Sequence, residues 1–182
     1  MSGRCYILPL LGGLCGECTQ DADCDGGGCS APDPFHAGPS QCNAGELGGG
    51  CENDAVCQEG LVCATTLDLL AGLLSLKTCG ECVDDDACEA GELCAPNLTV
   101  SEFKGQMECV TAGSMPLDAF CTLGPAGDAA CMSGKCSEVS IMDIETVGAC
   151  GECTADADCQ GGTCEAGALD LNAGVLTGSR CV

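Results

Sequence analysis

The stretch Cys15 to Cys29, CGECTQDADCDGGGC, returns as CGECVDDDACEAGELC from Cys79 and as CGECTADADCQGGTC from Cys150. Between these copies lies a second, related type, CENDAVCQEGLVC from Cys51 and CTLGPAGDAACMSGKC from Cys121. Self-similarity at a period of a few tens of residues marks a chain built from one small repeated unit. Grouping the cysteines by spacing gives five four-cysteine modules: 18–50 (Cys18, Cys24, Cys29, Cys42), 51–81 (Cys51, Cys57, Cys63, Cys79), 82–120 (Cys82, Cys88, Cys94, Cys109), 121–152 (Cys121, Cys131, Cys136, Cys150) and 153–182 (Cys153, Cys159, Cys164, Cys181). Residues 1–17 carry the two remaining cysteines, Cys5 and Cys15. MSGRC at Met1–Cys5 matches MSGKC at Met132–Cys136, so this segment reads as the end of a partial module, and Met1 aligns with an internal repeat residue. The sequence is therefore expected to be a window on a longer array or a processed product.

Composition explains why such a chain needs cross-links. Of its 182 residues 22 are cysteine, above the 8–10% or so that marks disulfide scaffolds. Leu, Ile, Val and Phe together make up 34 residues, under a fifth, and 28 acidic residues face 5 basic ones for a net charge of −23. Without covalent ties, that balance of low apolar content and high charge gives a disordered chain. A 32-residue unit is too small for a hydrophobic core to suffice, whereas a disulfide closing a loop of about fifteen residues contributes roughly 3 kcal/mol in the chain-entropy account. The fold class expected is small and disulfide-rich: a linear array of about five modules with short β-hairpins and little helix. All 22 cysteines are expected in disulfides, and their number and regularity point to an extracellular or cell-surface location.

Four cysteines per module allow three pairings. If the first pairs with the second and the third with the fourth, Cys5 and Cys15, which hold third and fourth positions, pair with each other and none is left over. A first-to-third, second-to-fourth pattern would orphan both or tie them to a neighbouring chain, so the count slightly favours the former. Within modules the segment before the fourth cysteine places apolar residues around glycine, at Gly38, Gly72, Gly105 and Gly174, which predicts hairpin turns there.

The core C-x5-C-x4/5-C, with Asp before the second cysteine and Gly near the third (DADCDGGGC, DAVCQEGLVC, DADCQGGTC), resembles the Dickkopf N-terminal and EB-type cysteine-rich modules. Tandem arrays of this sort are similar to those of predicted secreted surface proteins of myxobacteria and related bacteria. The resemblance covers nearly the whole chain but rests on cysteine spacing, and the receptor binding of the animal family does not carry over with it.

The chemistry admitted by these residues is narrow. CGEC has the form of a dithiol redox motif, but a low-pKa thiolate is disfavoured beside Glu17, Glu81 and Glu152, so the motif reads better as a module junction. A single histidine, His36, gives no recurring nucleophile or zinc set, and no enzyme is expected. No cofactor is expected either. The only ion the residues suggest is calcium, weakly, at Asp21, Asp23, Asp25, Asp156 and Asp158, whose alternation mimics the opening of a calcium loop without its closing Glu; a solvated turn is the blander and stronger reading. Asn97-Leu98-Thr99 is an N-glycosylation sequon.

Charge and segment length exclude other partners. At −23, with Arg4, Lys77, Lys104, Lys135 and Arg180 scattered, nucleic acid is not an expected ligand. The longest apolar stretches, Tyr6 to Leu14 and Leu67 to Leu76, fall short of the roughly 18 residues of a membrane span. The first is bracketed by Cys5 and Cys15 and reads as folded protein, not a signal-peptide core. What remains is an extracellular structural protein, a filament subunit or surface spacer that meets itself head to tail through apolar hairpin residues Leu69, Leu70, Leu73, Leu74, Ile141, Ile144, Leu171 and Val175. The alternative is a secreted binding module, an adhesin segment, ligand or protease inhibitor, presenting loops on the same scaffold.

Overall fold

A computed structural model describes residues 4–8, 12–34, 36–69, 74–141, 145–170 and 173–182. Its elements are β1 (Arg4–Leu8), β2 (Gly12–Gly16), β3 (Cys29–Ser30), β4 (Gln41–Cys42), β5 (Val62–Leu69), β6 (Leu74–Gly80), β7 (Glu92–Thr99), β8 (Lys104–Thr111), β9 (Phe120–Cys121), α1 (Pro125–Ala130), β10 (Cys136–Ile141), β11 (Glu145–Cys150), β12 (Cys164–Glu165), β13 (Ala168–Asp170), β14 (Val175–Thr177) and β15 (Arg180–Cys181). The strands form small sheets, all two-stranded among the described residues except β10-β11-β9. The molecule is the small disulfide-rich tandem of four-cysteine modules that the spacing predicts, with eleven disulfides and one minor helix.

Each module has two halves. The first is a turn of 3-10 helix between the first two cysteines, at Asp21–Asp23, Asp54–Val56, Asp85–Ala87 and Asp156–Asp158. In the fourth module nine residues separate Cys121 from Cys131, and the extra length is taken up by α1, with Pro125 at its start. The second half is a strand pair that sets the third and fourth cysteines opposite each other: Cys29 faces Cys42, Cys63 faces Cys79, Cys136 faces Cys150 and Cys164 faces Cys181.

The disulfides run between the halves and correct the expected pairing. Cys18–Cys29, Cys51–Cys63, Cys121–Cys136 and Cys153–Cys164 join first to third, while Cys24–Cys42, Cys57–Cys79, Cys88–Cys109, Cys131–Cys150 and Cys159–Cys181 join second to fourth. Cys82 and Cys94 are disulfide-bonded as well, and no cysteine is free. Cys5 and Cys15 nonetheless pair with each other. The leftover-thiol argument fails because the partial module need not obey the rule of complete ones: lacking first and second cysteines, its third and fourth join directly across the strands. The physical reason for the crossed pattern is that the 3-10 turn has little to bury, so only bonds from both of its cysteines to the hairpin fix it there.

A polar bond reinforces this in every module. The aspartate three residues before the second cysteine accepts the N–H of the third on its Oδ1: Asp21 from Cys29 (2.9 Å), Asp54 from Cys63 (2.7 Å), Asp85 from Cys94 (2.8 Å), Asp128 from Cys136 (2.7 Å) and Asp156 from Cys164 (2.8 Å). Such charge-assisted bonds exceed an ordinary backbone bond in strength.

Of the 26 buried apolar residues among those described, 13 are cysteines, so sulfur is half of the core. In every module the sulfurs of the first two cysteines lie within 4.8 Å of a further one, that of the fourth cysteine in the first, second and fifth modules (Cys42, Cys79, Cys181) and of the third cysteine in the other two (Cys94, Cys136), so the two bonds of each module stack together.

The turn expected at Gly105 falls elsewhere. Gly105 lies inside β8, and the chain reverses through a 3-10 turn at Val100–Glu102 followed by Phe103, which is buried with φ of +47°. Gly174 does sit in a turn with φ of +65°, Gly38 bridges Asp33 at the end of one, and Gly72 lies outside the described residues. By contact density the chain divides into two compact units, 1–83 with 102–108 and 84–101 with 109–182, a division that runs through the third module.

Candidate functional site

The positions that recur in every repeat and do more than hold one module together are the joints. In CGEC the first cysteine closes one module and the second opens the next, so the two belong to different disulfides: Cys15 to Cys5 but Cys18 to Cys29, Cys150 to Cys131 but Cys153 to Cys164. The dithiol reading of the motif has no geometric basis here.

The Gly-Glu pair between these cysteines clasps the following module. The N–H of Glu17, Glu81 and Glu152 donates to the carbonyl of Ser40, Met107 and Ser179, each at 2.9 Å and each two residues before a fourth cysteine. The carboxylate completes the clasp: Glu17 Oε2 accepts the N–H of Cys42 (3.1 Å) and Glu152 Oε2 that of Cys181 (3.0 Å). From the other side Ser40 Oγ donates to the carbonyl of Cys18 (2.6 Å) and Ser179 Oγ to that of Cys153. Backbone approaches backbone so closely that glycine is required. A Cβ on Gly80 would stand 2.8 Å from Met107 O and 3.0 Å from its N, and one on Gly16 would overlap the backbone of Ser40.

The second type of joint uses a longer linker as an added strand. Gly48 N–H donates to Cys79 O and Cys79 N–H to Gly49 O, both at 2.8 Å, and Gly50 bridges Thr78. In the fourth module Asp118 N–H donates to Cys150 O (2.9 Å) and Cys150 N–H to Ala119 O (2.8 Å), with β9 continuing the pairing onto β11. Asn43 shapes the first linker, its Nδ2 donating to Gly50 O (2.9 Å) and its Oδ1 accepting from Gly45 N–H (2.9 Å). Asp118 anchors the second linker to the last module: its two carboxylate oxygens both accept from Arg180 Nη2 at 2.8 Å, and its Oδ1 accepts the Gly178 N–H at 2.7 Å.

The carboxylates weighed as calcium ligands are mostly engaged inside the fold. Asp21 takes the N–H groups of Cys29 and Glu52 (2.7 Å for the latter), Asp23 takes the N–H and hydroxyl of Thr19 and pairs with Arg4, and Asp156 takes Cys164. Asp25 is exposed. Among the described residues, the only groups of three candidate metal-ligating atoms are cysteine sulfurs, every one of them already in a disulfide. His36 pairs with Asp33 at the surface, Nδ1 to Oδ2 at 2.8 Å.

Asp158 ties the last two modules. Lys135 Nζ donates to its Oδ1 (2.6 Å), and Thr154 N–H (2.8 Å), Thr154 Oγ1 (3.0 Å) and Ala155 N–H (3.2 Å) donate to its Oδ2. The Lys135 ammonium first, then the Thr154 donors, hold the Asp158 carboxyl well below the usual carboxylate range. A folded-state pKa below that of the unfolded chain means the contribution to stability is present above about pH 4 and is lost as pH falls through the folded value. In carbon-detected titrations the Asp158 resonance is expected to remain that of a carboxylate at about pH 3, and in Lys135→Ala to begin protonating at a higher pH than in the parent, while the Thr154 and Ala155 donors still hold it below the ordinary aspartate range; identical curves would remove Lys135 from this account.

Of the apolar positions expected to mediate assembly, Val175 is 50% exposed but Ile141 is buried at 8%. Leu70, Leu73, Ile144, Leu171 and the side chains of Leu69 and Leu74 lie outside the described residues. A cleft of about 530 Å³ in the first unit is lined by Asn43, Glu46, Gly49, Phe103 and Gln106 among others.

The chain matches no protein-family model, no curated protein and no solved structure. Its reading therefore rests on the joints and cross-links themselves. No helix among the described residues is long and apolar enough to cross a membrane.

Proposed function

We propose that the protein is a non-enzymatic extracellular structural protein, a disulfide-hardened repeat array that serves as a fibre subunit or surface spacer. The observation that carries this reading is the recurrence of one joint: the same Gly-Glu clasp, at the same 2.9 Å, at three points of the chain. Selection for a binding loop would fix one module; a clasp repeated between modules favours a role in which the series itself matters. The fully disulfide-bonded cysteines suit an oxidising exterior. The partner in this reading is a second copy, and a charge of −23 argues against nucleic acid.

Negative-stain electron microscopy of unreduced protein tests it, with sedimentation alongside. Regular fibres that lengthen with concentration and vanish with reductant are the expected result. Monodisperse single chains at all concentrations would overturn the fibre and favour the second reading, a secreted binding module using the cleft beside Phe103 and Gln106.

A further inference from the structure

Three residues other than glycine hold a left-handed backbone among those described: Ala37 (φ +52°), Phe103 (+47°) and Asp118 (+70°). Asp118 belongs to the joint held by Arg180. The other two belong to the modules whose reversals depart from the hairpins β5–β6, β10–β11 and β13–β14. In the first module the short pair β3–β4 encloses a turn in which Asp33 bridges Gly38, and in the third the chain reverses through Val100–Glu102 and Phe103. Both departures border the same place. The cleft of about 530 Å³ is lined by Asp33 and Gly38 from the first, by residues 102–106 from the third and by 46–50 of the linker, all within the first compact unit. Strained backbone persists only where its surroundings impose it, and it gathers at ligand sites.

The lining selects the ligand. Its apolar part is Leu76 (4% exposed), Phe103 (6%) and, from the linker, Leu47, which is 43% exposed. Three carboxylates stand against one ammonium: Asp33, Glu46 and Glu102, with Lys104 bonded to Glu102 at 3.3 Å. We propose that the cleft binds a short segment of a partner protein in which arginine alternates with large apolar residues. The apolar side chains cover Leu47 and the floor beside it, and the guanidinium groups meet the carboxylates. Arginine suits both parts of the lining, because its stem packs on apolar surface while its head is weakly hydrated and pairs well with carboxylates. The volume lies in the range of pockets that take small ligands, and a chain charge of −23 draws cationic segments toward it and repels anionic ones. The inference deepens the binding reading of this cleft and rests on it. It is independent of whether the array also forms fibres, which electron microscopy decides separately.

The probe is the peptide acetyl-Leu-Arg-Leu-Arg-amide, titrated into the full, unreduced chain in about 0.15 M salt, where exposed charges more than about 8 Å apart are screened. Amide chemical shifts are expected to saturate at one peptide per chain and to move most at Leu47, Leu76 and Phe103. The same peptide with glutamine for arginine should bind about ten-fold more weakly, and with glutamate not at all. Glu46→Gln should weaken binding about three-fold, while Glu59→Gln, an equal loss of charge at an exposed position outside the cleft, should leave it unchanged. Lys104→Glu should tighten it and Leu47→Ser should weaken it, the second result separating the cleft from charge alone. Shifts spread over the acidic turns of every module would overturn the proposal. So would equal binding of the glutamine peptide, equal weakening by Glu59→Gln and Glu46→Gln, or the lack of any saturable shift.

Discussion

Reduction of the disulfides under otherwise native conditions is expected to abolish the fold entirely. Each bond closes a separation of 10 to 22 residues, worth about 3 kcal/mol in the chain-entropy account, and only a few of these equal the 5–15 kcal/mol of a typical domain's whole stability. Nothing else is available to replace them. Half of the buried apolar residues are the cysteines themselves, and at −23 the released chain repels itself. After reduction and alkylation, amide hydrogen exchange should approach the rate of an unfolded chain throughout, including at Val139 and Ala149, both of which are fully buried. Retained protection in β10 and β11 would show that the hairpins have a core of their own.

The second large effect belongs to the joints. Gly16→Ala places a methyl group against Ser40, and rotamer change cannot relieve it because, besides Ser40 Oγ, the atoms struck are main-chain N and O. Overpacking of this sort costs about 1–3 kcal/mol, and here it falls on one clasp, the Glu17 N–H to Ser40 O bond with the Cys42 N–H to Glu17 and Ser40 Oγ to Cys18 bonds beside it. The Glu17 and Cys42 amides are therefore expected to lose protection while the 3-10 turns keep theirs. Gly60→Ala is the control. Nothing lies within 4 Å of its Cβ, so only the left-handed backbone penalty of about 1–2 kcal/mol applies, and the joints stay protected. Equal exchange at Glu17 in both variants would mean that the clasp contributes nothing to the joint.

The repeat and its disulfide-bonded cysteines could be read from the sequence because spacing is conserved between copies of the repeat itself. The pairing could not. Counting thiols treats cysteines as chemically equivalent, whereas the pairing depends on which of them the strand register and the 3-10 turn bring together. The role of the acidic loops was half legible: Asp21, Asp54, Asp85, Asp128 and Asp156 all stand three residues before a second cysteine, and that fixed offset, unlike general acidity, was the signal of a specific hydrogen-bonding duty. Glu17 and Glu152 were legible as part of a junction, but a carboxylate clasp on the next module's backbone needs the fold to show which N–H it meets. The turn at Gly105 was misplaced because Phe103, held by burial, takes the left-handed conformation that glycine would ordinarily supply.

The crossed pairing decides how the molecule ages under proteolysis. With bonds such as Cys18–Cys29 and Cys24–Cys42 overlapping in sequence, a single cut anywhere between the first and fourth cysteines of a module leaves both ends covalently attached. Side-by-side pairing would have let the chain part between second and third. Scission that truly shortens the molecule is thus confined to the stretches outside the cysteine loops. At each CGEC that stretch is one Gly-Glu dipeptide pinned against its neighbour, so the long linkers around 43–50 and 110–120 remain. A worn molecule parts into three pieces, the partial module with the first, the second with the third and the fourth with the fifth, each module still knotted by its own sulfur.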